Sequence, residues 1–361
     1  MAIRFDFVVV GAGMAGASLA SGLARHGTVA LLEAEALPGY HSTGRSAAFW
    51  TESYGGPGVV PLTFASGPFL RDNGFLSPRG ALTIARAGAE AQLSSFAKQF
   101  SRLGIRVELL ERDHLLARIP GLREGWTLGA LEPDCSDIDV AALHQHWLRD
   151  AKRGGVELFC AARLASAQVS AAGWDLTLAN GRRLDAKILI NAAGAWADEV
   201  AQLAGLGPLG ITPYRRTVAQ LCTAPAPPVD LPLVLDLAGQ FYFKPEAGRL
   251  WLSPHDEAAS PPCDAAPEEI DVATAIARLG EVVDWEIERV EHRWAGLRSF
   301  APDRLPVYGF DPACPQFFWF AGQGGFGIQT APAAADLAVA LLTGAKGGAV
   351  DPALYSPRRF C

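Results

Sequence analysis

Near its start the chain runs apolar through Phe7-Val8-Val9-Val10 and then turns at Gly11-Ala12-Gly13-Met14-Ala15-Gly16. Small and apolar residues follow over 17–24, and a second apolar run, Val29-Ala30-Leu31-Leu32, ends at Glu33. Short apolar runs bounded by glycine read as buried strands, and the longer stretch between them as a helix. The order strand, glycine turn, helix, strand, acid predicts a dinucleotide-binding βαβ unit. The first glycine serves the tight turn, the second lets a pyrophosphate approach, and the third lets helix and strand pack closely. The helix start offers N–H donors and a positive dipole end to phosphate. Glu33 lies 20 positions beyond Gly13, the offset of an acid that binds ribose hydroxyls. Such a turn suits NAD and FAD equally.

Further along, residues 37–48 form a polar, glycine-containing loop expected to run into a helix. Its Ser42, Thr43 and Arg45 follow the phosphate turn directly and are candidate donors to a pyrophosphate or flavin. Residues 81–85 read as a strand, and 88–103 carry helical apolar spacing. An aspartate N-cap before Val140 predicts another helix. Strands are expected at 158–160 and 167–169, and segments 174–178 and 183–185 flank a hairpin turn at Asn180-Gly181. A buried-type strand over 187–191 then runs into Ala192-Ala193-Gly194-Ala195-Trp196, a second nucleotide-facing turn. Residues 213–291, with short strands at 241–243 and 250–252, read as an inserted antiparallel sheet. The strand, glycine turn, helix pattern returns over 317–321, Gly322-Gln323-Gly324-Gly325-Phe326-Gly327, and an alanine-rich stretch to Leu342.

The fold class expected is α/β, a discontinuous Rossmann-like nucleotide-binding domain plus an α+β substrate domain with an antiparallel sheet. Residues 1–54, 133–210 and 292–361 are assigned to the first and 55–132 and 211–291 to the second. A length of 361 residues accommodates about two domains with a large core. With 50% hydrophobic and 19% charged residues the composition is that of a globular protein. A net charge of −7 argues against a nucleic-acid-binding surface. The cysteines, Cys135, Cys160, Cys222, Cys263, Cys314 and Cys361, have no metal-ligand spacing and read as reduced thiols. His144 and His146 lack carboxylate or thiol company, so no metal site is expected. The first strand starts too close to Met1 for a cleavable signal, and no apolar run reaches the ~18 residues of a membrane span. A cytoplasmic location is therefore expected.

With these motifs in place the chain resembles the FAD-dependent D-amino acid oxidase-like (glycine oxidase and sarcosine oxidase) superfamily over nearly its whole length. The resemblance rests on Gly11 to Gly16 with Glu33, Ser42-Thr43-Gly44-Arg45-Ser46, Asn191 to Trp196 and Ala295-Gly296-Leu297-Arg298-Ser299-Phe300. Residues 302–309 and Gly322 to Thr330 complete it. Residues 38–48 look particularly like the D-arginine dehydrogenases. The resemblance implies FAD as the cofactor, bound noncovalently, since no cysteine lies within the Arg298 or Gly322 motifs. It assigns the AMP half to Gly11, Gly13, Met14, Ala15, Gly16, Glu33 and Ala34. Pyrophosphate, ribityl chain and flavin ring fall to Ser42, Thr43, Gly44, Arg45, Ser46, Ala47, Ala193, Gly194 and Trp196. Arg298, Gly322, Gly324, Gly325, Phe326, Gly327 and Ile328 complete that set.

For the substrate, the resemblance implies oxidation of a D-amino acid at its CH–NH bond by hydride transfer to flavin N5, giving an imine that hydrolyses to a 2-oxo acid and ammonia. A carboxylate clamp calls for arginine. Arg298 is the first candidate, and alignment favours Arg216 over Arg215 as the second. Tyr54 and Tyr242 match pocket tyrosines, the Gly325 carbonyl is a candidate acceptor for the amine, and Gln329 is expected to order the pocket. Segment 77–82 offers no acid for a distal guanidinium, and Phe49 stands where the D-arginine enzymes have a histidine. Apolar or aromatic substrate side chains are therefore expected over arginine or lysine. Two other readings share the fold: a 2-hydroxy acid dehydrogenase resembling L-2-hydroxyglutarate dehydrogenases, and a noncatalytic flavin-binding subunit. The electron acceptor, oxygen or a quinone, is left open.

Overall fold

A computed structural model describes residues 3–171, 173–345 and 348–361. Strand Ile3–Val10 lies at the centre of the first sheet. It pairs in parallel with Val29–Leu32 on one side and Arg183–Asn191 on the other. Glu157–Phe159 and Phe317–Ala321 extend the parallel set outward. Strands covered on both faces read as continuous apolar runs, and Phe317, Phe318, Trp319 and Phe320 are all buried. Helices Met14–Leu23, Val140–Arg153 and Ala331–Thr343 cover one face. The Asp139 carboxylate caps the second of these by accepting from Ala142 N at 2.9 Å, as expected. Gly344, with φ of +72°, ends the third in the left-handed region.

The second sheet has ten strands and is mostly antiparallel, crossed by the long pair Thr212–Ala224 and Glu286–Phe300. Side chains alternate between the faces of a strand. On one face Leu82, Ala219, Leu221, Val234, Phe243, Leu250 and Leu252 join Val272 and Leu279 of helix Glu269–Val282 in a hydrophobic core. The opposite face looks toward the first sheet and carries the polar residues described below.

Three sequence expectations change. Ser46 does not lead into a helix: strand Phe49–Trp50 follows and pairs with Ser136–Ile138. Trp50 joins Met14, Leu143 and Trp147, whereas Phe49 joins Tyr242 and Leu233. Burying neighbours in different clusters requires the alternation of a strand. Segments 183–185 and 187–191 form one strand, Arg183–Asn191, because it pairs with Ile3–Val10 from Leu184 to Asn191 while its two halves take different outer partners. Helix Val60–Asp72, placed by sequence in the substrate domain, buries Leu62 in the core beneath Ala331–Thr343. Residue 292 falls inside strand Glu286–Phe300. Among the described residues no helix is long and apolar enough to cross a membrane.

Candidate active site

The carboxyl ends of the parallel strands open onto a long cleft with about 290 Å³ of free volume. This is where open α/β sheets place their ligands. Glu33 stands at one end, its carboxylate accepting from Ala12 N at 3.1 Å and Glu35 N at 3.0 Å. Next comes the glycine turn. Gly11 has φ of +103° and packs against the Ala192 carbonyl, while a Cβ at Gly16 would collide with the Gly11 carbonyl. Thr43 crosses the helix start, its Oγ1 accepting from Met14 N at 2.9 Å. Ser42 donates to the Leu297 carbonyl at 2.7 Å, tying this loop to the second sheet.

Of the residues the resemblance assigned to the cofactor, Gly11, Gly13, Met14, Ala15, Glu33, Ala34, Ser42, Thr43 and Ser46 line this cleft. So do Ala193, Gly194, Trp196, Arg298, Gly324, Gly325, Gly327 and Ile328. Gly16, Gly44, Arg45, Ala47, Gly322 and Phe326 do not. Gly16 packs helix on turn, Gly44 N donates to the Gly39 carbonyl, and Gly322 packs against Ala301 and Val307. Phe326 is buried edge-on against Tyr54 and Phe300. The Arg45 guanidinium pairs with Asp264 and donates to the Ala265 carbonyl at 2.9 Å rather than lining the cleft. Sequence reasoning missed Tyr40 and His41, which also line the cleft. His41 sits 4.6 Å from the Trp196 ring and 3.1 Å from Glu35. Only their place beside the serine and threonine donors signalled them.

Ser46, Arg298, Gly325 and Ile328 also line a second, smaller chamber. Its free volume is about 30 Å³, room for roughly two waters. Sheet register explains its lining. Arg298 lies opposite Tyr214, and Arg216 opposite Gly296, on adjacent antiparallel strands. Opposed residues share a face, as do residues two apart, so both guanidinia project from the same face. Gly296 leaves them room, since a Cβ there would lie 3.0 Å from Arg298 Nη1. Arg215 projects from the other face and pairs with Glu268 and Asp271. The same alternation brings Tyr242 opposite Leu235.

All six residues expected at the substrate, Tyr54, Arg216, Tyr242, Arg298, Gly325 and Gln329, line this chamber. Phe49, Ala47, Ala48, Leu235 and His255 complete it with Ser46 and Ile328. Arg298 is buried, and its Nη1 has no hydrogen-bond partner. Burial presses its pKa below the usual arginine value. Arg216 is also buried but partnered, donating to the Asp256 carbonyl at 2.8 Å and to Glu257 at 3.1 Å. The Asp256 carboxylate itself accepts from Thr217 N at 2.7 Å, and neither it nor that of Glu257 lines the chamber. His255 was not foreseen. It lies far from any motif and is placed by a strand end whose register the sequence does not display.

Residues 6–341 match the family model described as DAO, FAD dependent oxidoreductase. The chain belongs to this family. The family member is 27% identical over 389 residues to the FAD-dependent oxidoreductase domain-containing protein 1 of Bos taurus, covering 91% of this chain and 79% of that one. Glycine oxidase from Geobacillus kaustophilus has the same fold, with a TM-score of 0.85, 23% identity and 98% of each chain covered. L-Proline dehydrogenase from P. horikoshii has it as well, with a TM-score of 0.87, 20% identity, and 100% of this chain and 98% of that one covered. FAD is the cofactor of this family. The cleft fits it: an extended groove begins at a close-approach glycine turn and a helix start, and ends beside a buried guanidinium. No cysteine is among its lining residues.

Proposed function

We propose that this FAD-dependent oxidoreductase acts on the CH–NH bond of a D-amino acid with an apolar or aromatic side chain. The product is an imino acid, which water hydrolyses to a 2-oxo acid and ammonia. The observation that carries this reading is the buried Arg298 guanidinium, unpartnered at Nη1, in a chamber lined by no carboxylate. A buried cation without a counter-ion is costly. A substrate α-carboxylate supplies that counter-ion in the planar, forked geometry that suits arginine. Arg216, on the same face, adds positive potential, and the Tyr54 and Tyr242 hydroxyls and the Gly325 carbonyl offer further hydrogen bonds.

In this reading Gly11, Gly13, Met14, Ala15, Glu33 and Ala34 hold the adenosine end of FAD. Ser42, Thr43, Ala193, Gly194 and Trp196 hold its middle, and Ser46, Arg298, Gly324, Gly325, Gly327 and Ile328 face the ring. Bound FAD supplies the acceptor for the hydride that leaves the substrate Cα. The chain's own residues fix the carboxylate, orient Cα and exclude water, so positioning carries much of the rate. No side-chain nucleophile is required.

An apolar substrate is favoured because a distal guanidinium or ammonium would meet Arg216 and Arg298 with no acid to offset it. An apolar or aromatic side chain carries no such charge. Support for the D configuration comes from the likeness of residues 38–48 to the D-arginine dehydrogenases. The test is turnover of D- and L-amino acids and 2-hydroxy acids with an artificial electron acceptor, following ammonia and 2-oxo acid. Equal yields of both from D-leucine or D-alanine support the reading. Oxidation of 2-hydroxy acids without ammonia would replace it with hydroxy-acid dehydrogenation. A flavin-loaded protein that turns over neither class would be a noncatalytic binding subunit.

A further inference from the structure

His255 lines the substrate chamber from the turn that follows strand Arg249–Ser253. Its φ of +56° lies in the left-handed region, which residues other than glycine seldom occupy. Such a conformation persists when the surroundings hold it, and here they do. His255 N donates to Ser253 Oγ at 3.1 Å, and the next carbonyl, that of Asp256, accepts from Arg216 Nε at 2.8 Å. The imidazole stands edge-on to the Tyr242 ring, centroids 5.7 Å apart.

The tautomer follows from the partner. His255 Nδ1 is 2.9 Å from the Gly239 carbonyl, which can only accept, so Nδ1 carries the proton and Nε2 the lone pair. Burial, helped by Arg216, pushes the His255 pKa down to about 4, so the ring stays neutral near pH 7. Among the other polar side chains lining the chamber, Arg216 and Arg298 can only donate. The Gln329 amide is committed to Thr51, Tyr54 and Thr63. The hydroxyls of Ser46, Tyr54 and Tyr242 can do either. His255 therefore brings an imidazole lone pair to a chamber whose other acceptors are the Gly325 carbonyl and hydroxyls that can also donate.

We propose that His255 is a substrate-binding residue whose Nε2 accepts a hydrogen bond from the amine of the substrate that Arg298 holds by its carboxylate. The two contacts together select amino acids over carboxylic acids that lack nitrogen. This assignment rests on the amino-acid reading of the site.

The experiment uses the FAD-loaded enzyme and two matched ligands, D-leucine and 4-methylpentanoate, which has the same carboxylate and side chain without the amine. The apparent Kd of D-leucine comes from the concentration dependence of anaerobic flavin reduction, and that of 4-methylpentanoate from perturbation of the flavin spectrum. H255L removes the acceptor. H255N also removes the imidazole but tolerates the left-handed backbone, so a folding defect in one variant does not decide the outcome. The expected result is about a tenfold weaker D-leucine Kd, the scale of a hydrogen bond to a charged group, with 4-methylpentanoate unchanged within twofold. Equal weakening of both ligands would make His255 a wall of the chamber and overturn the proposal, as would no change for either. A wild-type flavin that no amino acid reduces would instead overturn the amino-acid reading, and this assignment with it.

Discussion

Gln329 grips both ends of the turn that carries Tyr54. Its Oε1 accepts from Thr51 N at 3.1 Å, and its Nε2 donates to the Tyr54 carbonyl at 3.3 Å and to Thr63 Oγ1 at 3.0 Å. Ser53, between them, donates through its hydroxyl to buried Glu132 at 2.6 Å. On its outer side Tyr54 meets Gly325, where a Cβ would collide with the tyrosine hydroxyl. Gln329 thus positions the turn of a tyrosine that lines the chamber.

Replacing Gln329 with alanine strands buried backbone groups that lose their partner, which costs about 1–3 kcal/mol. Q329A is expected to lower the melting temperature and kcat/KM together. Y54F keeps the turn and should lose activity with little change in melting temperature. Thermal denaturation alongside steady-state kinetics separates the two; equal stability losses would contradict the assigned roles.

Arg298 sets function against stability. Its Nη1 has no hydrogen-bond partner and no carboxylate lines its chamber, and replacing buried charged groups with packed apolar side chains is often neutral or stabilising. R298M is expected to match or exceed the wild type in melting temperature while kcat/KM falls by about two orders of magnitude or more, the scale of a truncated buried charge pair. A destabilised R298M retaining near-normal KM would show that the arginine is structural.

Stability should carry a mark of Glu52, two residues before Tyr54. Half-burial first, then the nearby carboxylates of Asp134 and Glu132, raise its pKa from 4.5 to about 7. The folded state therefore holds a proton that the unfolded state releases between these values. Stability from this group is greatest below about 4.5 and declines as pH rises toward 7. E52Q should gain stability over the wild type at pH 8 and match it at pH 4. Parallel pH–stability curves for the two proteins would contradict this.

Arg45 clasps the cofactor loop to the second sheet. It pairs with Asp264, donates to the Ala265 carbonyl and, at 3.3 Å, to the Ala295 carbonyl of strand Glu286–Phe300, and lies 4.9 Å over the Tyr40 ring, whose hydroxyl also donates to Asp264 at 3.1 Å. Asp264 is exposed, and exposed ion pairs contribute little, so D264N should speed FAD release only slightly. R45M also loses the carbonyl contacts and should release FAD several-fold faster, read as the rise of free-flavin fluorescence on dilution. Unchanged release from R45M would mean that the clasp does not retain the cofactor.

The nucleotide-binding half of the fold was legible because its signals are local: an apolar run, a glycine turn and an acid at a fixed offset. The six residues expected at the substrate were reached through family motifs, and strand alternation shows why they line one chamber, since Arg298, Arg216 and Tyr242 occupy one face of the second sheet. The sequence misled where partners are distant. Arg45 read as a phosphate donor because Asp264, its partner, lies 219 residues away. The loop over 37–48 read as running into a helix because the burial of Phe49 and Trp50 in separate clusters depends on strand 136–138. His255 escaped notice because its placement follows from a turn conformation and the Gly239 carbonyl, neither of which leaves a local pattern.

The most direct measurement is anaerobic stopped-flow reduction of the bound flavin by D-alanine, D-valine, D-leucine, D-phenylalanine, D-arginine and matched L-amino and 2-hydroxy acids. The expected result is fast bleaching by apolar and aromatic D-amino acids, and little by D-arginine or the hydroxy acids. Faster reduction by D-arginine, or by a 2-hydroxy acid than by any amino acid, would contradict the proposed chemistry of the Arg298 chamber.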